Sequence, residues 1–159
     1  MELNDDEILI ESVKDDVDNV YGYIVNLWHH MLKWDHQRYL QSPSWSTSIN
    51  NRANDIKKIF NGKNGSNIKN RITPKLNDAY SEAVDMTIKN AIKDHKYMTS
   101  KISKNIQNDY SLDYILDDDN RHKWIHSRCG NTLLLNNNEF KYDTIKETDV
   151  RIDPKFALK

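Results

Sequence analysis

Residues 10–34 read IESVKDDVDNVYGYIVNLWHHMLKW, and this stretch decides the fold class. Ile10, Val13, Val17, Val20, Ile24, Leu27, Met31 and Trp34 recur at alternating steps of three and four. That spacing aligns all of them on one stripe of an α-helix and leaves the intervening polar residues to the other faces. Asn4 with Glu7 three residues later resembles an N-terminal capping signal, and the acidic turns that follow suit the positive end of a helix dipole. The helix is expected to run from about residue 5 to about residue 39. A helix of that length outruns one small partner, so it should pack against several later helices.

Outward from this stretch the same signals repeat. Ser42-Pro43 reads as an N-cap followed by proline at the first helical position, and Trp45, Ile49, Ala53, Ile56 and Phe60 then share a face. Asn61-Gly62-Lys63-Asn64-Gly65-Ser66-Asn67 reads as a loop by composition. Thr73-Pro74 starts a further helix, which turns Leu76, Tyr80, Ala83, Val84, Ile88, Ala91 and Ile92 to a core and continues in broken form past His95. Ser111 can cap a short turn bearing Leu112, Ile115 and Leu116. Near the end, Thr132–Leu135, an Asn136-Asn137-Asn138 turn and Glu139–Tyr142 predict a β-hairpin. Val150, Ile152 and Phe156 are expected to dock as an extended tail. The expected fold is mainly α, a helical bundle built on one long N-terminal helix with a small extended or hairpin appendage. The expected organisation is a single domain over 1–159, with a helical body at 1–119 and a C-terminal extension at 120–159.

Composition narrows the functional classes. The chain has 159 residues, 37% of them hydrophobic, and nowhere approaches the ~20 consecutive apolar residues of a membrane span. It starts Met1-Glu2-Leu3-Asn4-Asp5-Asp6-Glu7, acidic where a secretory leader is basic and then apolar, so no leader is expected. Cys129 is the single cysteine, which fits a reducing cytoplasm. Lys and Arg number 23 against 24 Asp and Glu, a net charge of -1 that argues against a dedicated nucleic-acid binder. Charge is nonetheless segregated. Residues 1–20 are acidic, residues 52–104 are lysine-rich, and Asp113 precedes an acidic knot at Asp117-Asp118-Asp119. Opposite charges on neighbouring helices would steer their packing or the approach of a partner.

The run His30-Met31-Leu32-Lys33-Trp34-Asp35-His36-Gln37, followed by Ser42-Pro43-Ser44-Trp45, is the most distinctive in the chain. It resembles the bacterial domain-of-unknown-function family twenty-nine, in which a helix ending in a His-Leu-Leu-Lys-Trp-like run precedes Ser-x-Ser-Trp. Ala79-Tyr80-Ser81-Glu82-Ala83 and Ser111–Asp117 resemble two further segments of that family, so the likeness spans about residues 10–118. It implies an all-helical fold and no particular activity, since fold alone does not carry function.

Several groups could carry chemistry. His30, Lys33, Trp34, Ser44 and Trp45 read chiefly as a locked helix corner, with Ser42 or Ser44 capping, and alternatively as a ligand or partner pocket. His29, His30 and His36 read as surface or interface histidines, because Lys33 between them opposes a bound cation. His122, His126 and Cys129 have the most metal-like spacing, with Asp119 a further candidate, but lack the second ligand pair of a structural zinc site. Cys129 beside Arg128 and His126 is also a candidate activated thiolate. Asp117-Asp118-Asp119 lacks a calcium-loop pattern and reads as a solvated loop after a helix end. No phosphate-binding glycine loop occurs.

No catalytic residue and no cofactor is therefore expected. The favoured role is a non-enzymatic cytoplasmic protein that binds a partner protein, in particular an immunity protein or antitoxin that neutralises a toxin such as a nuclease. Asp15, Asp16, Asp18, Asp117, Asp118 and Asp119 would form its binding surface. The alternative is a helical nucleic-acid binder that uses the lysine-rich middle.

Overall fold

The long first helix, α1, spans Asp5–His36 in the computed structural model, which describes residues 4–129, 132–134, 140–142 and 150–159. Every stripe residue from Val13 to Trp34 is buried, and the middle of the helix is buried well beyond the stripe, at Val25, Trp28, His29 and Leu32. A helix covered on that many sides is central to its domain. It ends three residues earlier than the periodicity predicts. Gln37 leaves the helical region at φ -131 and ψ 52, and Arg38–Leu40 form a 3-10 turn. The chain turns there, and the Gln41 side-chain amide donates back to the Trp34 carbonyl at 2.7 Å.

Helix α2, Pro43–Phe60, returns alongside α1. The pairings of Lys33 with Trp45 and of Tyr23 with Arg52 show the two helices to be antiparallel. Ile49, Ala53 and Ile56 fill the contact, and Trp45 and Phe60 flank it half-buried. Ser42 occupies the N-cap position with proline behind it, but no side chain caps the helix. Its hydroxyl instead lies 2.6 Å from that of Ser44, and only its backbone carbonyl bonds the Trp45 N–H.

The segment 61–67 is a tight turn followed by the start of a helix, rather than a loop throughout. Helix α3 spans Gly65–Ile72 and buries Ile68 and Ile72, one turn apart. The 3-10 turn Thr73–Lys75 then leads directly into α4, Leu76–Lys93, so Thr73-Pro74 joins two helices instead of opening one after a loop. Asn and Gly made the composition loop-like, but Gly65 is present for close packing. A β-carbon there would collide with the backbone carbonyl of Phe60. Gly65→Ala is therefore expected to destabilise by about 2 kcal/mol, although alanine by itself favours helix by about 1 kcal/mol. A drop of roughly 5 °C in thermal midpoint is the expected reading. A rise would show that propensity, not crowding, governs this position.

Helix α4 runs parallel to α1, since Tyr21 meets Glu82 and His29 meets Thr87. Ala79, Tyr80, Ala83, Val84 and Ala91 are buried, while Ile92, expected in the core, is exposed. The helix ends at Lys93 and, against expectation, does not continue past His95, whose φ of 55 no helix adopts. The chain beyond it is extended. Met98 pairs antiparallel with Ile152 and Ile102 parallel with Leu158, so residues 150–159 do dock on the body. They do so through Ile152, Pro154 and Ala157; Val150 and Phe156 face solvent, against expectation.

Ser111 caps the short helix α5, Leu112–Ile115, through the Tyr114 N–H as its position predicts. Helix α6, Asp118–Ser127, carries the helical body past residue 119. Strands β1, Thr132–Leu134, and β2, Phe140–Tyr142, pair antiparallel with Leu133 opposite Lys141, as the hairpin pattern predicts. The asparagine turn lies outside the described residues.

Candidate functional site

The last turn of α1 places Asp35 and His36 against Tyr110, 74 residues from His36, and against Arg128 at the end of α6, 93 residues from Asp35. The Tyr110 hydroxyl donates to Asp35 Oδ2 at 2.5 Å, and Arg38 Nη2 donates to Oδ1 at 3.0 Å. Arg128 Nε approaches Oδ2 at 3.4 Å, while its Nη2 pairs with Asp109. Burial alone would raise the Asp35 carboxyl; the His36 edge, the Tyr110 hydroxyl, Arg38 and Arg128 outweigh it and hold the group below the usual carboxylate range. The same burial and the Asp35 charge push the Tyr110 phenol well up, so it remains a donor.

His36 completes the cluster. Its Nδ1 lies 2.7 Å from Ser100 Oγ and its Nε2 lies 3.5 Å from the Tyr110 hydroxyl. Burial lowers its pKa more than Asp35 raises it, with Arg38, Arg128 and Lys159 adding to the depression. Serine, histidine and aspartate are thus neighbours, yet they do not form a nucleophilic relay. His36 Nε2 is 3.7 Å from Asp35 Oδ2, beyond hydrogen-bond reach, and the carboxylate spends its short bond on tyrosine. The cluster faces a cleft of about 280 Å³ whose walls also carry Tyr80, Lys101, Ser103, Gln107 and Lys159.

On the other side of the same helix end lies the tryptophan corner. Trp34 is fully buried, and its indole N–H donates to the Ile125 carbonyl at 3.0 Å. Gln41 ties the corner shut by donating to the carbonyls of both Trp34 and Arg128. Lys33 lies over the Trp45 ring at 4.4 Å and its ammonium is made less basic by burial. His30 donates from Nδ1 to the Asn26 carbonyl of its own helix. Ser44 is exposed. These contacts make the corner a joint between α1, α2 and α6.

The family model described as Domain of unknown function DUF29 matches residues 5–120, which holds the corner and most of the cluster. The chain belongs to the DUF29 family. Comparisons with curated proteins and with solved structures give no match. In this DUF29 protein the match ends inside α6, so Asp35, His36, Asp109 and Tyr110 fall within it, while Arg128 and Lys159 reach the cleft from beyond it.

The other candidate residues of this DUF29 protein sort differently from their sequence patterns. His29 and His36 are buried, not surface histidines. His122 and His126 do share a helix face, with ring centroids 4.0 Å apart. Cys129 turns its thiol to the Ile125 carbonyl at 3.5 Å, and burial raises its pKa, the opposite of activation. Among the described residues no group of three His, Cys, Asp or Glu side chains is placed to hold a metal.

The acidic knot is not a loop. Asp117 is the N-cap of α6 and accepts from the Asn120 N–H. Asp118 pairs with Arg121 at 2.7 Å and with Lys57 at 3.0 Å, and Arg121 more than Lys57 holds its carboxyl low. Lys69 pairs with Asp113 at 3.4 Å. Segregated charge is therefore used inside the fold, joining the lysine-rich helices to the acidic segment. Asp15, Asp16 and Asp18 stay on α1 with no ion pair to any described residue, and Asp119 is exposed. Asp15 and Asp18 face solvent, and Asp16 is half-buried. Sequence reasoning gave Asp35 and Tyr110 no role and took Arg128 only as a neighbour of Cys129. The one local signal was a carboxylate directly after a tryptophan on the buried stripe. No helix among the described residues is long and apolar enough to cross a membrane.

Proposed function

We propose that this DUF29 protein is a non-enzymatic cytoplasmic binding protein that engages a basic partner protein through the outer face of α1. Its role is that of an immunity protein or antitoxin masking a toxin, in the first instance a nuclease. The observation that supports this reading is the contrast between two acidic segments. The knot at 117–119 is largely consumed by the cap of α6 and by Arg121 and Lys57, whereas Asp15, Asp16 and Asp18 have no ion-pair partner among the described residues. Unpaired carboxylates on a preformed surface steer a basic partner quickly and in a salt-sensitive way. The binding surface accordingly centres on α1, with Asp119 at most peripheral.

Co-expression with a toxin encoded beside the gene tests the proposal. The wild-type protein should restore growth, and Asp15→Lys/Asp16→Lys/Asp18→Lys should lose rescue while keeping its helical circular dichroism. Rescue by the triple variant, or absence of a neighbouring toxin that binds, overturns the reading. Salt-dependent retention of DNA or RNA on a filter would favour the lysine-rich segment instead.

A further inference from the structure

The cleft beside Asp35 is charged in a way that its internal pairing does not exhaust. Asp35 and Asp109 are its carboxylates, and Arg38 and Arg128 neutralise them at contact distance. Lys101 and Lys159 line the same cleft, on the segments brought together by the Ile102–Leu158 bridge, and neither has an ion-pair partner among the described residues. Lys101 and Lys159, without ion-pair partners among the described residues, therefore add positive charge to the walls of a concavity also lined by His36 and Tyr110, both at least nine-tenths buried. Burial chiefly, with Arg38, Arg128 and Lys159 adding to it, depresses the His36 pKa, in keeping with positive charge near the cleft. On the rim, Gln107 Nε2 donates to Ser103 Oγ at 2.9 Å and to the Asn105 carbonyl at 3.1 Å, and Ser103 Oγ donates to the same carbonyl at 3.0 Å, so these groups are satisfied within their own turn.

We infer that this cleft binds a small dianionic oxyanion, a phosphate or the phosphate end of a phosphomonoester, between Lys101 and Lys159. Two flexible point charges match one dianion, and lysine is a common phosphate partner where no bidentate fork is required. A volume of about 280 Å³ has room for a phosphate with a small substituent. Some 17 to 20 helical residues separate Asp35 from Asp15–Asp18, roughly 25–30 Å along α1, so this site is independent of the partner-binding face.

Titration of the full-length protein with inorganic phosphate, followed by calorimetry and by the backbone amide resonances of Ser103 and Gln107, tests the inference. Saturable binding with a dissociation constant of about 1 mM or tighter is expected. Lys101→Met/Lys159→Met should weaken it at least about tenfold with the thermal midpoint unchanged, since both side chains are exposed. Lys89→Met/Lys93→Met, on the outer side of α4, should leave it intact. Absence of saturation, equal weakening by both double variants, or acetate binding as tightly as phosphate would each overturn the assignment.

Discussion

Replacing Asp35 by alanine is expected to lower the stability by about 3–5 kcal/mol, read as a shift of the urea midpoint at unchanged slope. Its carboxylate is the common acceptor for the Tyr110 hydroxyl and two guanidiniums, and it is only 9% exposed. Alanine leaves the phenol with only the longer contact to His36 Nε2 at 3.5 Å, and Arg128 with only Asp109 to balance it. Truncating one partner of a buried ion pair costs more than the pair contributes, because the remaining charge stays desolvated. Tyr110→Phe removes one hydrogen bond to a charged acceptor and should cost about 1.5–3 kcal/mol. The double variant should lose less than the sum of the two, since the groups share one contact. An Asp35→Ala loss below about 1 kcal/mol would mean that solvent reaches the carboxylate and that the cluster does not hold the ends of α1 and α6 together.

The architecture was legible where burial follows periodicity. The α1 stripe, the α2 face and the β1–β2 register each repeat at the spacing their element requires. Legibility failed at Gly65, where asparagine and glycine mark loops on average but one glycine was needed for backbone contact with Phe60. It failed again at Ile92, Val150 and Phe156, because an apolar residue can stay at a surface that has too little polar area to cover it. Boundaries at residues 36 and 65 depended on single contacts, Gln41 with Trp34 and Gly65 with Phe60, that neither periodicity nor average composition encodes.

The candidate site was less legible, for a physical reason. Asp35, His36, Asp109, Tyr110 and Arg128 come from three elements, and polar residues carry no periodic signal of their burial. The tryptophans did register, because Trp34 continues the stripe and Trp45 opens α2. His122, His126 and Cys129 registered through spacing alone, and the helix then turned the Cys129 thiol to a carbonyl. The acidic knot and the lysines were legible as opposite charges but not as partners, since the Lys57–Asp118 contact joins positions 61 residues apart.

Acidification should unfold the protein earlier than its carboxylates alone require, and His29 is the main reason. The Thr87 hydroxyl gives its only proton to the Ala83 carbonyl at 2.8 Å, so it must accept from His29 Nδ1–H at 2.8 Å. Burial first, then Lys33 and His30, hold the His29 ring neutral down to a pKa of about 3, against 6.5 when exposed. Between those values the unfolded chain binds a proton that the folded chain refuses, so stability rises with pH across that window and falls as the pH drops through it. At 1.36 kcal/mol for each pKa unit, the loss from this group is about 3 kcal/mol at pH 4.5 and at most about 5 kcal/mol near pH 3. His30 and His36 are depressed as well, and they act in the same direction. Urea midpoints at pH 7 and pH 4.5 should therefore differ steeply. His29→Asn retains a donor for Thr87 without a titrating ring and should flatten the profile while costing less at pH 7 than the acid loss it removes. A profile already flat in the wild type, or equally steep in His29→Asn, would place the acid sensitivity elsewhere than in the α1–α4 contact.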